Sequence, residues 1–205
     1  MTGTVPEIRG GFPELKPVDA PPELGRFVAA MRRLQDLTVS TNPDAALWAR
    51  AAEHVENLCT LLEDHQVPEG LAPAGRDINL PGLGHPLLPP WTITDSGPDG
   101  VAMAGHFTRY HVGGNNAVHG GVIPLLYDWL LGMVVSAAGR PISRTAYLHV
   151  DYRNVTPIEQ PLTACGRIAG IEGRKAFVSA TMTTADGTLP SEAHGLMVRL
   201  LPHQS

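Results

Sequence analysis

Leu24, Phe27, Val28, Met31 and Leu34 recur at intervals of three and four residues, a spacing that predicts an amphipathic helix early in the chain. A second helix is expected from an Asn42 cap and Pro43 at the first helical position, with Leu47, Ala51, Leu58 and Leu62 forming its apolar stripe as far as about His65. From Val67 to Pro90 six prolines and four glycines break any period, which suits a connection or covering loop. After Trp91 the pattern changes. Val101 to His111 reads as a strand, and about Gly121 to Ala138 reads as a helix whose apolar face holds Leu126, Trp129, Leu130, Met133, Val134 and Ala137. Four strands are expected next, near Thr145–Arg153, Pro161–Ile171, Arg174–Thr184 and Ser191–Leu201. They are separated by turn signals at Thr156-Pro157, Glu172-Gly173 and Asp186-Gly187. Short connections imply an antiparallel sheet, so the fold class is α+β, with the sheet able to wrap around one buried helix. The division expected is a helical extension and connection over 1–88, then one domain over 89–205.

Composition narrows this reading. With 205 residues, 43% hydrophobic and 17% charged, the chain has enough apolar material for one well-buried domain plus an extension. A net charge of −5 without any Lys or Arg run argues against a nucleic acid or an anionic membrane as partner, and leaves a small molecule or a second copy of the chain. No apolar run approaches a membrane span, Met1–Gly10 lacks the pattern of a signal peptide, and Cys59 and Cys165 offer no disulfide framework. A cytoplasmic location is the expectation.

Chemistry concentrates between Asn115 and Asp128. Pro124 lacks an N–H and is tolerated only in a first turn, so the helix must begin near Gly120 or Gly121. The amides of Gly120 to Val122 are then expected to be free at the positive end of a helix, suited to the oxyanion of an acyl-transfer intermediate. A bare Gly-Gly also suits a tight turn with no ligand at all. Asp128 lies within Leu125-Leu126-Tyr127-Asp128-Trp129-Leu130-Leu131, where burying an unpaired carboxylate costs several kcal/mol. A surface role, or a pair with Arg144 or Arg153, is the competing reading. A carboxylate beside a polarised carbonyl either activates water or attacks directly. The motifs of serine hydrolases, zinc proteases, thioredoxins and P-loop proteins are missing.

Three features together resemble the hotdog-fold acyl-CoA thioesterases of the PaaI type, and within them the superfamily members related to the human Them proteins. They are His119-Gly120-Gly121 with an acidic residue nine positions after the histidine, the strand Thr145-Ala146-Tyr147-Leu148-His149-Val150-Asp151-Tyr152, and the Gly173-Arg174 hairpin followed by Asp186-Gly187 and a closing strand. The resemblance spans about Trp91 to Pro202. It implies an antiparallel sheet wrapped around one long central helix, a homodimer or dimer of dimers with sites at the interface, and acyl-CoA hydrolysis without cofactor or metal. It also implies Asp128 as base or nucleophile, the Gly120 amide polarising the thioester, and Thr145 positioning water or carboxylate. A family polar group six residues before the histidine falls on Gly113, and Asn115 or Asn116 is the expected substitute.

Further candidates rest on the residues themselves. His119 and Gly121 complete the substrate-binding turn, with a structural role favoured for the histidine. His149 is placed on the face of Thr145 by strand alternation, with Asp151, Tyr147 and Arg153. Arg174 and Lys175 suit the phosphates of coenzyme A. A non-catalytic acyl-CoA or lipid-binding protein is the alternative function, and an enoyl-thioester hydratase a weaker one.

Overall fold

The computed structural model describes residues 18–68 and 70–201, with the backbone of Ile8–Arg9 and Phe12–Pro13 paired as a two-residue ladder. The reading of Met1–Gly10 as a segment without a leader falls largely outside these residues.

Six strands form one antiparallel sheet: β1 (Thr92–Gly97), β2 (Gly100–Gly105), β3 (Ser143–Tyr152), β4 (Leu162–Glu172), β5 (Lys175–Thr184) and β6 (Ser191–Arg199). The spatial order is β1-β2-β4-β5-β6-β3, so β3 crosses the sheet to become the far edge. One long helix, α3 (Val122–Ala137), packs against this sheet and gives the core its centre. Ile123, Leu126, Tyr127, Leu130 and Leu131 on the helix meet Trp91, Met103, Val178 and Met182, all 2% exposed or less. Small residues make the fit. A Cβ at Gly195 would collide with Leu131, and one at Gly166 would lie 2.8 Å from Val134, so the glycines let α3 settle onto the strands. Tyr127 anchors the same contact: its buried hydroxyl donates to Ser191 O (2.8 Å) and accepts from Ser191 Oγ (2.9 Å). Burial pushes its pKa up to about 12, so the phenol stays neutral.

The strands fall where periodicity placed them except at the start. Val101–His111 divides into β2 and a 3-10 turn at Arg109–His111, and β1 precedes it. Polar, half-exposed Thr92–Gly97 carries too little alternating hydrophobicity to announce itself, although Asp99-Gly100 marks the hairpin that closes it.

Two helices precede the sheet, α1 (Pro22–Thr38) and α2 (Ala45–Glu63). The start of α2 is two residues later than the Asn42-Pro43 reading, because Asp44 caps it: its Oδ1 accepts the Leu47 N–H at 2.8 Å. Arg32 of α1 stitches the proline-rich connection in place, donating to Leu88 O (2.9 Å), Pro81 O (3.0 Å) and His85 O (3.2 Å). Among the described residues no helix is long and apolar enough to cross a membrane.

Candidate active site

Gly121 caps α3 and the helix proper starts at Val122, so Pro124 occupies the first turn. A tight hairpin leads into it: Val112–Gly114 pairs with Ala117–Val118, and Asn115 and Asn116 bridge them with φ of 49° and 57°. Two successive left-handed residues define a two-residue primed turn, which asparagine tolerates. Both asparagines are therefore spent on the turn, exposed at its tip. Gly113 is accounted for as well: a Cβ there would lie 2.7 Å from His119 Cα, which leaves no room for a polar side chain in this hairpin.

The turn after the hairpin is fixed from several directions. His119 donates its N–H to His111 O (2.7 Å) and accepts the Val122 N–H at its own carbonyl (2.9 Å). Its Nδ1 accepts the Gly121 N–H at 3.0 Å, which puts the neutral ring's proton on Nε2. Tyr152 at the end of β3 donates its hydroxyl to Gly120 O at 2.7 Å. The Gly120–Gly121 peptide is thus held at both its oxygen and its nitrogen. Of the three amides expected to be free, those of Gly121 and Val122 are occupied, and only the exposed Gly120 N–H meets no acceptor among the described residues. An open cleft of about 560 Å³ lies beside it, lined by Val118, Gly120, Ile123, Tyr152 and Val155.

Asp128 departs from the expectation of a buried charge. It stands on the exposed side of α3, with Pro124, Leu125 and Gly132 half-buried around it. Its charge therefore needs no neutralising partner, and what distinguishes it is a single oriented contact: Thr145 Oγ1 donates to Asp128 Oδ1 at 2.7 Å, with Met197 Sδ 3.3 Å from the same hydroxyl.

That contact depends on an irregularity of β3. Met197 pairs with Thr145 and Leu196 with Tyr147, so Ala146 is an extra residue, a bulge that shifts the alternation. Thr145 consequently shares the helix-facing side with Leu148, Val150 and Tyr152. His149 is turned to the outer face, contrary to the plain period-two reading. There it lies 3.4 Å from Asp151, in a surface network in which Arg153 joins Asp151 (3.4 Å) and Glu192 (2.8 Å). Arg174 and Lys175 lie at the opposite end of α3 from Gly120, where Arg174 exchanges hydrogen bonds with the Arg199 backbone and Arg140 reaches Gly173 O.

Sequence reading passed over Tyr152 as part of an apolar strand face and His111 altogether. The signal for Tyr152 was available in its placement one strand-length after Thr145, but only the bulge shows that both point inward. His111 is buried, and its Nδ1 accepts the Thr108 N–H at 3.0 Å. Burial lowers its pKa, against a smaller raising effect from Asp36.

A sheet of this order wrapped on one central helix is a hotdog fold. A crystal structure of a thioesterase superfamily protein superposes with a TM-score of 0.76 at 28% identity, covering 89% of this chain and 97% of that one. Residues 89–205 are little more than half the chain, so this match takes in most of the preceding segment as well. A hypothetical thioesterase from Streptococcus pneumoniae solved with coenzyme A shares the fold, with TM-score 0.51 and 18% identity over 56% of this chain and 91% of that one.

Residues 115–191, which take in the tip and second strand of the hairpin, α3 and strands β3, β4 and β5, match the thioesterase superfamily model. The acyl-coenzyme A thioesterase THEM4 of Rattus norvegicus is 37% identical over 86 residues, 42% of this chain and 36% of the relative. That of Mus musculus is 34% identical over 88 residues, with 42% and 37% covered. The chain thus spans little more than a third of the length of these relatives.

Proposed function

We propose that this protein hydrolyses acyl-CoA thioesters to the free acid and coenzyme A, at sites built from two copies of the chain. The observation that carries this reading is the 2.7 Å hydrogen bond that aims the Asp128 carboxylate from Thr145 on a hotdog scaffold. Asp128 supplies the base or nucleophile, and the Gly120 N–H supplies the dipole that stabilises charge developing on the thioester oxygen. They stand eight positions apart, about 12 Å along a helix axis, too far for both to touch one carbonyl carbon and its oxygen. A second copy brings its own Gly120 to Asp128. Among the described residues the ten-residue edge strand β3 has no neighbour on its outer side, and such an edge is a template for pairing with another chain.

His119 serves as the turn's fixture. Asn115 and Asn116 act through the hairpin, and Arg174 and Lys175 are the cations we assign to coenzyme A phosphates, reached from a neighbouring site. The relatives named acyl-coenzyme A thioesterase support the substrate class.

Purified full-length protein should release free thiol from acyl-CoAs, and Asp128→Ala should lose at least a hundredfold in kcat while remaining folded. Equal rates for variant and parent overturn the assignment. Mixing inactive Asp128→Ala with inactive Gly120→Pro subunits should restore about a quarter of the parent activity, since half of randomly assorted dimers regain one intact site. No recovery after confirmed subunit exchange contradicts the shared site. Gly113, which denies the hairpin the family's polar group, favours the second reading of a non-catalytic acyl-CoA-binding protein. Calorimetric binding without turnover is its signature. Loss of an enoyl chromophore without thiol release would point instead to a hydratase.

A further inference from the structure

Among the described residues, helix α2 has no counterpart for its apolar side. None of its 19 residues is buried, although Leu47, Ala51, Val55, Leu58 and Leu62 form a continuous stripe. Leu47, Val55 and Leu62 are 47%, 41% and 45% exposed, and Trp48 beside them is 41% exposed. A helix that leaves such a stripe in water gains little of the burial that stabilises most protein helices.

Its point of attachment says what covers it. Asp36 in the last turn of α1 accepts the Tyr110 N–H at 3.0 Å, and the next residue, His111, holds His119 through its carbonyl. Only six residues lie between the end of α1 and the start of α2. The arm therefore springs from the Gly120 end of the site, where a second copy must arrive if its Asp128 is to meet this Gly120. We infer that α2 lays its apolar face on that second copy and closes over the shared site, walling the acyl chain of the substrate beside the cleft at Gly120. This rests on the two-copy reading above.

Charge favours a protein over a lipid surface. The polar side of α2 carries Glu53, Glu56 and Glu63 against Arg50 alone, the reverse of a helix that binds anionic membranes. Size sets the division of labour. A helix of 19 residues is about 28 Å long, and a face about 10 Å wide adds roughly 280 Å² to the 800 Å² per partner of a stable interface. The arm shapes the site, and the β3 edge carries the assembly.

Cys59 flanks the stripe and is a free, exposed thiol in the protomer, so it reports on coverage without foreign labels. In a Cys165→Ser background, an aromatic disulfide reagent should modify Cys59 at least tenfold more slowly in the assembled protein than in the same protein carrying Leu47→Gln, Val55→Gln and Leu62→Gln. Light scattering should show both as dimers. In that triple variant the ratio of kcat/KM for palmitoyl-CoA over acetyl-CoA should fall at least tenfold. Equal thiol rates, a monomeric parent, or protection that appears only with phospholipid vesicles would each overturn the arm. Absence of thioesterase activity would remove the proposed reaction, while the Cys59 rates would still decide where α2 lies.

Discussion

With one carboxylate oxygen held by Thr145 at 2.7 Å, Asp128 keeps a defined rotamer on an otherwise solvent-facing side of its helix. Orientation of a charged acceptor by one hydroxyl is worth about a tenfold effect or more, from the typical strength of such bonds. Thr145→Val, which keeps the shape and removes the donor, should lower kcat by that factor with little change in KM, and Thr145→Ser should recover most of it. Steady-state kinetics on any hydrolysed acyl-CoA decide this, and an unchanged kcat for Thr145→Val would remove Thr145 from the site. Asp128 and Gly120 stand out in the sequence because Pro124 dates the helix start and Asp128 is a lone carboxylate among apolar neighbours, whereas Thr145 enters only through the family resemblance, and the structure brings its hydroxyl to Asp128. Tyr152 was not, since nothing in a run of alternating residues announces that its hydroxyl closes on a carbonyl 32 positions away. The exposure of Asp128 was also hidden: apolar neighbours in sequence say little about which helix side a residue occupies, and Tyr127 and Asp128 sit side by side with opposite fates.

At the level of elements, the contact between α3 and the sheet depends on glycines where strands usually carry branched side chains. Gly195→Ala drives a methyl into Leu131, and the overpacking should cost about 1 to 3 kcal/mol, measurable as a lower urea midpoint with an unchanged slope. A midpoint equal to the parent's would mean that α3 rides higher on the strands than described. Helix α3 and the last four strands could be read from periodicity because each is long and has one apolar side. The β1 strand and the 112–118 hairpin could not, being short, polar and dependent on turn geometry. The bulge at Ala146 escaped for a different reason. Alternation assumes an unbroken ladder, and an inserted residue is recorded only in the pairing with β6. That single residue moved His149 from the proposed pocket to the outer surface.

The molecule as a whole should be most stable between two titrations. His111 has a folded pKa below its usual 6.5 because it is buried neutral, so the unfolded chain takes up a proton first as pH falls through 6.5, and stability declines there. Tyr127 works at the other end. Its folded pKa of about 12 exceeds the ordinary 10.0, so its contribution is intact below pH 10 and is lost as pH rises toward 12, on the order of 2 to 3 kcal/mol. Chemical denaturation across pH should show both declines; Tyr127→Phe should flatten the alkaline one and His111→Gln the acid one. A pH-independent midpoint in either range would refute the corresponding group.

One ten-residue strand at the margin of the sheet touches both ends of the proposed chemistry, Thr145 gripping the carboxylate near its start and Tyr152 gripping the glycine turn at its finish. Most of that strand is open to solvent in the single chain, and solvent exposure ordinarily signals freedom to vary. Here it signals the reverse. The strand acts as a ruler with a fixed kink at Ala146, and inserting or deleting a residue between its two marks would put one group out of step with the other. Between those two marks, the length of β3 matters as much as the side chains that stand at them.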